Sequence, residues 1–479
     1  MQSIDKVLQT QFGFTSFKPG QREILTSLLA GKNMVAMLPT GGGKSLIYQM
    51  MGQLRPGLII IVTPLLSLMQ DQVARLNFTG ENRVVALNSL LNRESRNLIL
   101  RQLQQYRFLF VSPETLSQAD VQTAIQQVPI NLLVIDEAHT LVSWGPDFRP
   151  EYLNLNHIYQ QLNAPQTLLM TATATPSMLN AMVQHFAFPA DNIELYQRSV
   201  DRPNIFLHTE QLPNEGAKRA RLAELVRQTK GPGIIYFASR KLATSMAEWL
   251  AEQTGLRVAA YHAGLDSNDR QRIQQQFMFG KLDIITATSA FGMGIDKDDV
   301  RFVIHYHLSN SLADYLQEIG RAGRDGQPAL ATLLYAPGDE QVQYLMIHGT
   351  IPNEAAIRGV YANQLTAEDV GSNQFNVLDF YRTHQYSLEQ SLEIFAQREI
   401  AREQALMQMI KYAQATGALR AQLLAAFADA TSFDGTYEAV GSVNLDLAKL
   451  GLQQPADFSA KQLKIPKWQA QIDELFNLR

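Results

Sequence analysis

The chain has 479 residues, 46% hydrophobic and 18% charged, enough to bury sizeable cores over roughly three domains and too apolar for a disordered tail. Its net charge is −4, so there is no histone-like blanket of positive charge and any nucleic-acid contact must come from a local groove. The absence of cysteine excludes disulfides, thiol catalysis, iron–sulfur clusters and every cysteine-based zinc site. Asp5 and Lys6 stand where a secretory signal would need an apolar core. The longest apolar stretch, around Leu58 to Leu66, is broken by Thr63 and Pro64 and is too short to span a bilayer. A soluble cytoplasmic protein is therefore expected, with no membrane partner.

From Asn33 onward, short apolar runs alternate with helical patterns. Met34–Leu38, Leu58–Val62, Phe108–Val111, Leu132–Ile135 and Thr167–Met170 are nearly continuous in aliphatic and aromatic residues, as strands buried on both faces should be. Helix-period segments between them indicate βαβ units and a parallel sheet. A second series follows at Gly233–Phe237, Val258–Tyr261, Asp283–Thr286, Phe302–His305 and Ala331–Tyr335. Two successive α/β domains are expected, residues 1–201 and 202–340, with a boundary near Arg202-Pro203-Asn204. From about Gln341 the strand pattern fades. Glu389 to Asp429, rich in Ala, Leu, Gln, Glu and Met, reads as helices within a third region, 341–479.

Leu38-Pro39-Thr40-Gly41-Gly42-Gly43-Lys44-Ser45 follows one predicted strand and opens a helix, the context a phosphate loop requires. Glycines let backbone N–H groups close around phosphate oxygens, Lys44 reaches the terminal phosphates, and Ser45 can hold Mg²⁺. The strict pattern is missed at its first position, which is Leu38 rather than Gly. Asp136-Glu137-Ala138-His139 directly follows the run Leu132–Ile135. Alone, an acidic pair after a strand is most often a helix cap. Coupled to the phosphate loop, Asp136 becomes a partner of Ser45 for Mg²⁺, and Glu137 the group that orients the attacking water. Together these motifs point to Mg²⁺-dependent hydrolysis of a nucleoside triphosphate.

Gln317-Glu318-Ile319-Gly320-Arg321-Ala322-Gly323-Arg324-Asp325-Gly326 places Arg321 and Arg324 three apart, on one side if helical. Such arginines either stabilise transition-state charge on a γ-phosphate or form surface pairs with Glu, and this segment alone does not decide. The nearby Ala287-Thr288-Ser289-Ala290-Phe291-Gly292-Met293-Gly294-Ile295-Asp296, a strand running into a glycine-rich loop, favours a ligand edge.

In that order of motifs, residues from Val7 to Pro337 resemble a superfamily 2 helicase, specifically the RecQ family of DNA helicases. The resemblance implies two tandem RecA-like parallel-sheet domains followed by a mostly helical C-terminal region. Phe14-Thr15-Ser16-Phe17-Lys18-Pro19-Gly20-Gln21 is similar to the family's adenine-reading motif, with Gln21 as the base-contacting amide and Lys18 where Arg is usual. Val62 to Gln72 is similar to the first DNA-contacting segment and brings Ser67 and Gln70. Met170-Thr171-Ala172-Thr173-Ala174 resembles the segment linking hydrolysis to domain closure. Ser143-Trp144-Gly145-Pro146-Asp147-Phe148-Arg149-Pro150-Glu151-Tyr152 resembles the family's aromatic-rich loop. It offers Trp144 and Phe148 as stacking platforms and Arg149 for phosphate, or alternatively a hydrophobic plug. Pro146 stands where His is usual. Phe237 to Arg240, Tyr261 to Leu265 and the Phe291 loop resemble later motifs, implying DNA contacts from His262 and Thr288. For His262 an ordinary buried histidine is an equal alternative. The resemblance further implies ATP and Mg²⁺ as cofactors, with Lys44, Asp136, Glu137, His139, Arg321 and Arg324 as catalytic groups. Lys18, Gln21, Thr40, Gly41, Gly42, Gly43, Lys44 and Ser45 would bind the nucleotide, and single-stranded and forked duplex DNA would be the partner at a nucleoid-associated location.

The family's four-cysteine zinc subdomain cannot form here, so no zinc is expected. Tyr412-Ala413-Gln414 and Leu419 to Phe427 nevertheless resemble the helices that normally carry it, with Leu419, Leu423, Leu424 and Phe427 at helical spacing for an apolar face. The tail after Asp429 is expected to be too short for both a full winged-helix domain and a separate C-terminal DNA-binding module. An ATP-dependent DNA helicase moving 3′ to 5′ is the leading expectation. A DNA-stimulated translocase without robust unwinding and an RNA helicase are the alternatives. A clamp without catalysis is disfavoured by the intact Lys44, Asp136, Glu137, Arg321 and Arg324.

Overall fold

Runs of β-branched and aliphatic residues become strands where both faces can be covered, and the helices between them supply that cover. The computed structural model describes residues 3–39, 41–64, 66–88, 91–143, 150–292, 297–429 and 445–455. The chain divides into two compact units, Met1–Val200 with Pro352–Glu393 and Asp201–Ile351 with Ile394–Arg479.

In the first unit the strands are β1 (Asn33–Met37), β2 (Leu58–Val62), β3 (Val84–Leu87), β4 (Phe108–Val111), β5 (Ile130–Ile135), β6 (Thr167–Thr171) and β7 (Ile193–Gln197). They form one parallel sheet in the order β3-β4-β2-β5-β6-β1-β7. Side chains such as Ile59, Val134 and Met170 from the strands pack with Leu25 and Met50 from the helices Gln21–Leu29 and Lys44–Leu54. Each fully buried aliphatic contributes about 1.5–3 kcal/mol relative to exposure.

The second unit contains β8 (Ile205–Gln211), β9 (Gly233–Tyr236), β10 (Val258–Tyr261), β11 (Ile284–Ala287), β12 (Phe302–His305) and β13 (Ala329–Tyr335), again all parallel, in the order β10-β11-β9-β12-β13-β8. Ile235, Ile284, Ile304 and Leu330 from the strands pack with Leu222 and Leu250 from the helices Glu215–Gln228 and Arg240–Thr254.

Three strands fall outside the apolar runs read from the sequence: β3, β7 and β8. All three lie at sheet edges, where one side has no neighbouring strand and burial is incomplete. In β7, Glu194, Leu195 and Gln197 are exposed, so no continuous apolar run marks it.

C-terminal to the sheets the described chain is mostly helical, including the helices Leu388–Ala413 and Leu419–Ala425, and residues 445–455 form turns with a single bridge from Gln453 to Thr229. Leu419, Leu423, Leu424 and Phe427 are all buried, so the four residues picked out by spacing do form an apolar face. This helical segment lies along the edge strand of the second sheet, where Thr209 Oγ1 donates to Ala415 O at 3.2 Å and Gln211 Nε2 to Gln414 O at 2.8 Å.

Candidate nucleotide and DNA sites

In a parallel sheet every strand's C-terminal end opens on the same edge, which is where ligands bind. The neighbours β5, β6 and β1 therefore bring three loops side by side: the Asp136 box, the Thr171 segment and the phosphate loop. Main-chain bonds stitch them together, from Leu38 N to Thr171 O at 3.1 Å and from Ala138 N to Met170 O at 2.8 Å.

The phosphate loop leads into the helix Lys44–Leu54 through Gly43, whose φ of +73° lies in the left-handed region. A side chain there would also collide with the Gln21 amide. Gln21 is buried, and its Nε2 donates to Gly43 O at 3.0 Å and Gly42 O at 3.3 Å while its Oε1 accepts from Lys18 N at 2.8 Å. Lys18 Nζ donates to Gly41 O at 2.8 Å. Both residues assigned to the base thus brace the phosphate loop in this structure. Lys44 and Ser45 are half-buried at the start of the helix. Thr40 lies outside the described residues.

Asp136 ends the β5 ladder by donating its N–H to Val62 O at 2.9 Å, and its Oδ1 accepts from Glu137 N at 3.0 Å. Loss of water around the carboxylate, followed by the nearby Glu137 charge, raises the Asp136 pKa to about 6, with Lys44 acting in the opposite sense. A carboxylate so disfavoured by burial and by a like charge is suited to a cation as partner. Glu137 itself adopts φ +50°, a left-handed conformation that costs a non-glycine residue about 1–2 kcal/mol. Such strain at the turn holds the two acids apart from the regular strand direction.

His139 is buried, with Nδ1 3.0 Å from Thr171 Oγ1 and 3.4 Å from Glu137 Oε2. Thr171 Oγ1 spends its only proton on Thr173 O at 2.9 Å, so it must accept from His139. The imidazole proton therefore sits on Nδ1. Burial lowers the His139 pKa, more than Glu137 opposes it, which keeps the ring neutral near pH 7. Sequence alone named the Thr171 segment without showing this tether.

In the second unit, the C-terminal ends of β10, β11 and β9 carry His262, Thr288 and the Ser239 turn. His262 and Thr288 are each 8% exposed, which leaves little of either side chain at the surface. His262 Nε2 pairs with Thr244 Oγ1 at 2.9 Å, and its Nδ1 has no hydrogen-bond partner among the described residues. The helix Leu312–Ile319 stops before Arg321, so Arg321 and Arg324 lie in a succession of turns rather than on one helical face. Gly323, at φ +56° in the left-handed region, breaks the helix that the three-residue spacing implies. Arg321 is buried beside the Gly292 loop, where a Cβ would stand 3.2 Å from its Nη2; Arg324 is half-buried. Tyr236, whose hydroxyl donates to Phe291 O at 2.7 Å, also lies against Arg321.

The helix Leu66–Phe78, which follows β2, carries Ser67 and an exposed Gln70. Trp144, Phe148 and Arg149 lie outside the described residues, as does the loop from Met293 to Asp296. Among the described residues no helix is long and apolar enough to cross a membrane.

A model of the DEAD/DEAH box helicase family matches residues 18–181, and one of the helicase conserved C-terminal domain matches residues 217–326. A probable ATP-dependent DNA helicase, RecS of Bacillus subtilis, is 38% identical over 100% of this chain and 99% of its own length. The ATP-dependent DNA helicase RecQ of a Synechocystis species is 38% identical over 72% of this chain and 75% of its own. Among solved structures, the helicase MrfA bound to DNA shares the fold with a TM-score of 0.60, at 18% identity, over 73% of this chain and 53% of that one. With two RecA-like sheets, a helical C-terminal region and a full-length relative at this identity, the chain belongs to the RecQ-like branch of the superfamily 2 helicases and is an ATP-dependent DNA helicase.

Proposed function

We propose that the protein moves 3′ to 5′ along one strand of DNA and separates forked duplexes, serving repair and recombination in the cytoplasm, where the nucleoid lies. The observation that carries this reading is the shared edge of β5, β6 and β1, where the phosphate loop, the acid pair and the His139–Thr171 tether meet. Lys44 and the loop amides bind the triphosphate, and Glu137 orients the attacking water and takes up its proton. His139, neutral and donating through Nδ1 to Thr171, transmits the state of that site to the Thr171–Thr173 turn. Mg²⁺, when bound with ATP, would be held by Ser45 and Asp136 and would offset phosphate charge. Arg321 and Arg324 stabilise the charge that develops on the γ-phosphate. On release of the base, Gln21 and Lys18 hold the phosphate loop in place; with ATP bound they read the adenine. Gln70, Ser67, His262, Thr288 and the segment bearing Trp144, Phe148 and Arg149 contact the DNA, with the aromatic rings stacking on bases.

ATP turnover should rise on addition of single-stranded DNA and respond weakly to RNA of matched sequence. Equal stimulation by RNA, or none by DNA, contradicts the assignment. Trp144→Ala should keep the turnover seen without DNA and lose the stimulation.

A further inference from the structure

The segment Asp201–Ile205, marked in the sequence only as a boundary, makes a set of contacts that the hydrolysis site does not itself require. Arg202 directs its guanidinium at three main-chain carbonyls: Nη1 donates to Gly320 O at 3.2 Å, and Nη2 to Ala322 O at 3.1 Å and Gly323 O at 2.6 Å. These carbonyls lie immediately before and after Arg321 and immediately before Arg324. Asn204 Nδ2 adds bonds to Gly323 O at 2.8 Å and Gln327 O at 2.9 Å. Gly323 has φ +56°, and a Cβ there would stand 2.5 Å from Asn204 Nδ2, so the close approach needs glycine.

The segment that bears Arg202 and Asn204 is in turn held from the C-terminal helix Leu419–Ala425. Arg420 pairs with the Asp201 carboxylate, donates from Nη1 to Arg202 O at 3.2 Å and from Nη2 to Ile205 O at 2.5 Å. Only a planar guanidinium can serve three such acceptors in fixed directions. The ion pair is well covered, with side-chain exposures of 14% and 17%. A second support comes from Tyr412, whose ring packs 5.3 Å from that of Tyr315 on the helix leading to Arg321.

We propose that Arg202 is a positioning residue for Arg321, and that Arg420 on the cysteine-free C-terminal helix sets it in place, so that this region controls ATP turnover through two successive guanidinium clamps. The proposal rests on the assignment of Arg321 to transition-state charge. It gives the helix a task independent of DNA contact: to fix a loop of turns, unsupported by regular helix, against displacements that would cost up to about a hundredfold in rate.

The test is a double-mutant cycle on the full chain. Arg420→Gln is expected to lower kcat for ATP by about tenfold or more while the nucleotide Kd and binding stoichiometry stay within twofold. In an Arg321→Ala background, the same change should alter kcat by less than about twofold, because the group it acts through is gone. Arg420→Lys, which keeps the charge beside Asp201 but not the fork, should fall between, and its thermal midpoint shows whether folding is intact. An unchanged kcat in Arg420→Gln, or the same factor with and without Arg321, overturns the clamp while leaving the arginine assignment standing. Full turnover in Arg321→Ala itself overturns both.

Discussion

Thr171→Val replaces a buried hydroxyl by a methyl group of nearly the same volume, and so isolates the tether at the centre of the first unit's site. The hydroxyl accepts from His139 Nδ1 and Thr173 N and donates to Thr173 O. At about 1 kcal/mol net per hydrogen bond, the loss is about 3 kcal/mol, since the partners left behind are buried and cannot turn to water. For a unit of this size each kcal/mol moves the midpoint by roughly 2–4 °C, giving a fall of about 6–12 °C. Calorimetry on the full chain, with and without the substitution, reads this shift. Freed of its acceptor, His139 no longer holds Glu137 in register, and kcat for ATP should drop between about ten- and hundredfold. Thr171→Ser, which retains the hydroxyl, should recover most of both losses. A valine variant with an unmoved midpoint and unchanged kcat would refute the tether.

Glu137→Gln should keep ATP binding, lose hydrolysis by more than about a hundredfold and hold DNA more tightly in the trapped state; normal turnover would misplace the water-orienting role. The Asp136 carboxyl titrates near 6, so affinity for Mg·ATP should weaken as pH falls through about 6, by about tenfold per unit below it, and excess Mg²⁺ should restore it; a flat profile from pH 7.5 to 5.5 would contradict the assignment. In the nucleotide-free protein the sign for stability is opposite: the raised pKa makes a contribution fully present below 3.8 that is lost as pH rises through about 6. Phe427→Ala should destabilise the second unit by about 3–5 kcal/mol, whereas chelators should leave its melting unchanged and elemental analysis should find no stoichiometric zinc.

Strands were legible where burial on both faces leaves a continuous apolar run: Leu58–Val62, Phe108–Val111 and Phe302–His305 in sheet interiors, and the fully buried edge strand Val258–Tyr261, match the sequence reading residue for residue. Edge strands β7 and β8 lack that signature because Glu194, Gln197, His208, Thr209, Glu210 and Gln211 interrupt them, whereas β3, Val84–Leu87, is apolar but only four residues long. The phosphate loop and the acid pair were legible because their chemistry is local, a strand end followed by a fixed run of residue types. Contacts between residues far apart in the chain were not. Nothing in Phe14 to Gln21 announces that Gln21 reaches the carbonyls of Gly42 and Gly43, and nothing near Arg420 points to Asp201. Spacing also misled once: Arg321 and Arg324 stand three apart as on a helix, but Gly323 between them, at φ +56°, turns the chain there. The apolar face of Leu419, Leu423, Leu424 and Phe427 was readable because its period survives without the cysteines.

Strand separation tests the central claim most directly: a forked duplex with a 3′ single-stranded tail, one with a 5′ tail and a blunt duplex, each with ATP, beside Lys44→Ala. The account predicts ATP-dependent unwinding of the 3′-tailed fork, little of the other two, and none by the variant. Preference for the 5′ tail would reverse the polarity, and DNA-stimulated hydrolysis with no unwinding of any fork would contradict the helicase assignment of this cysteine-free chain.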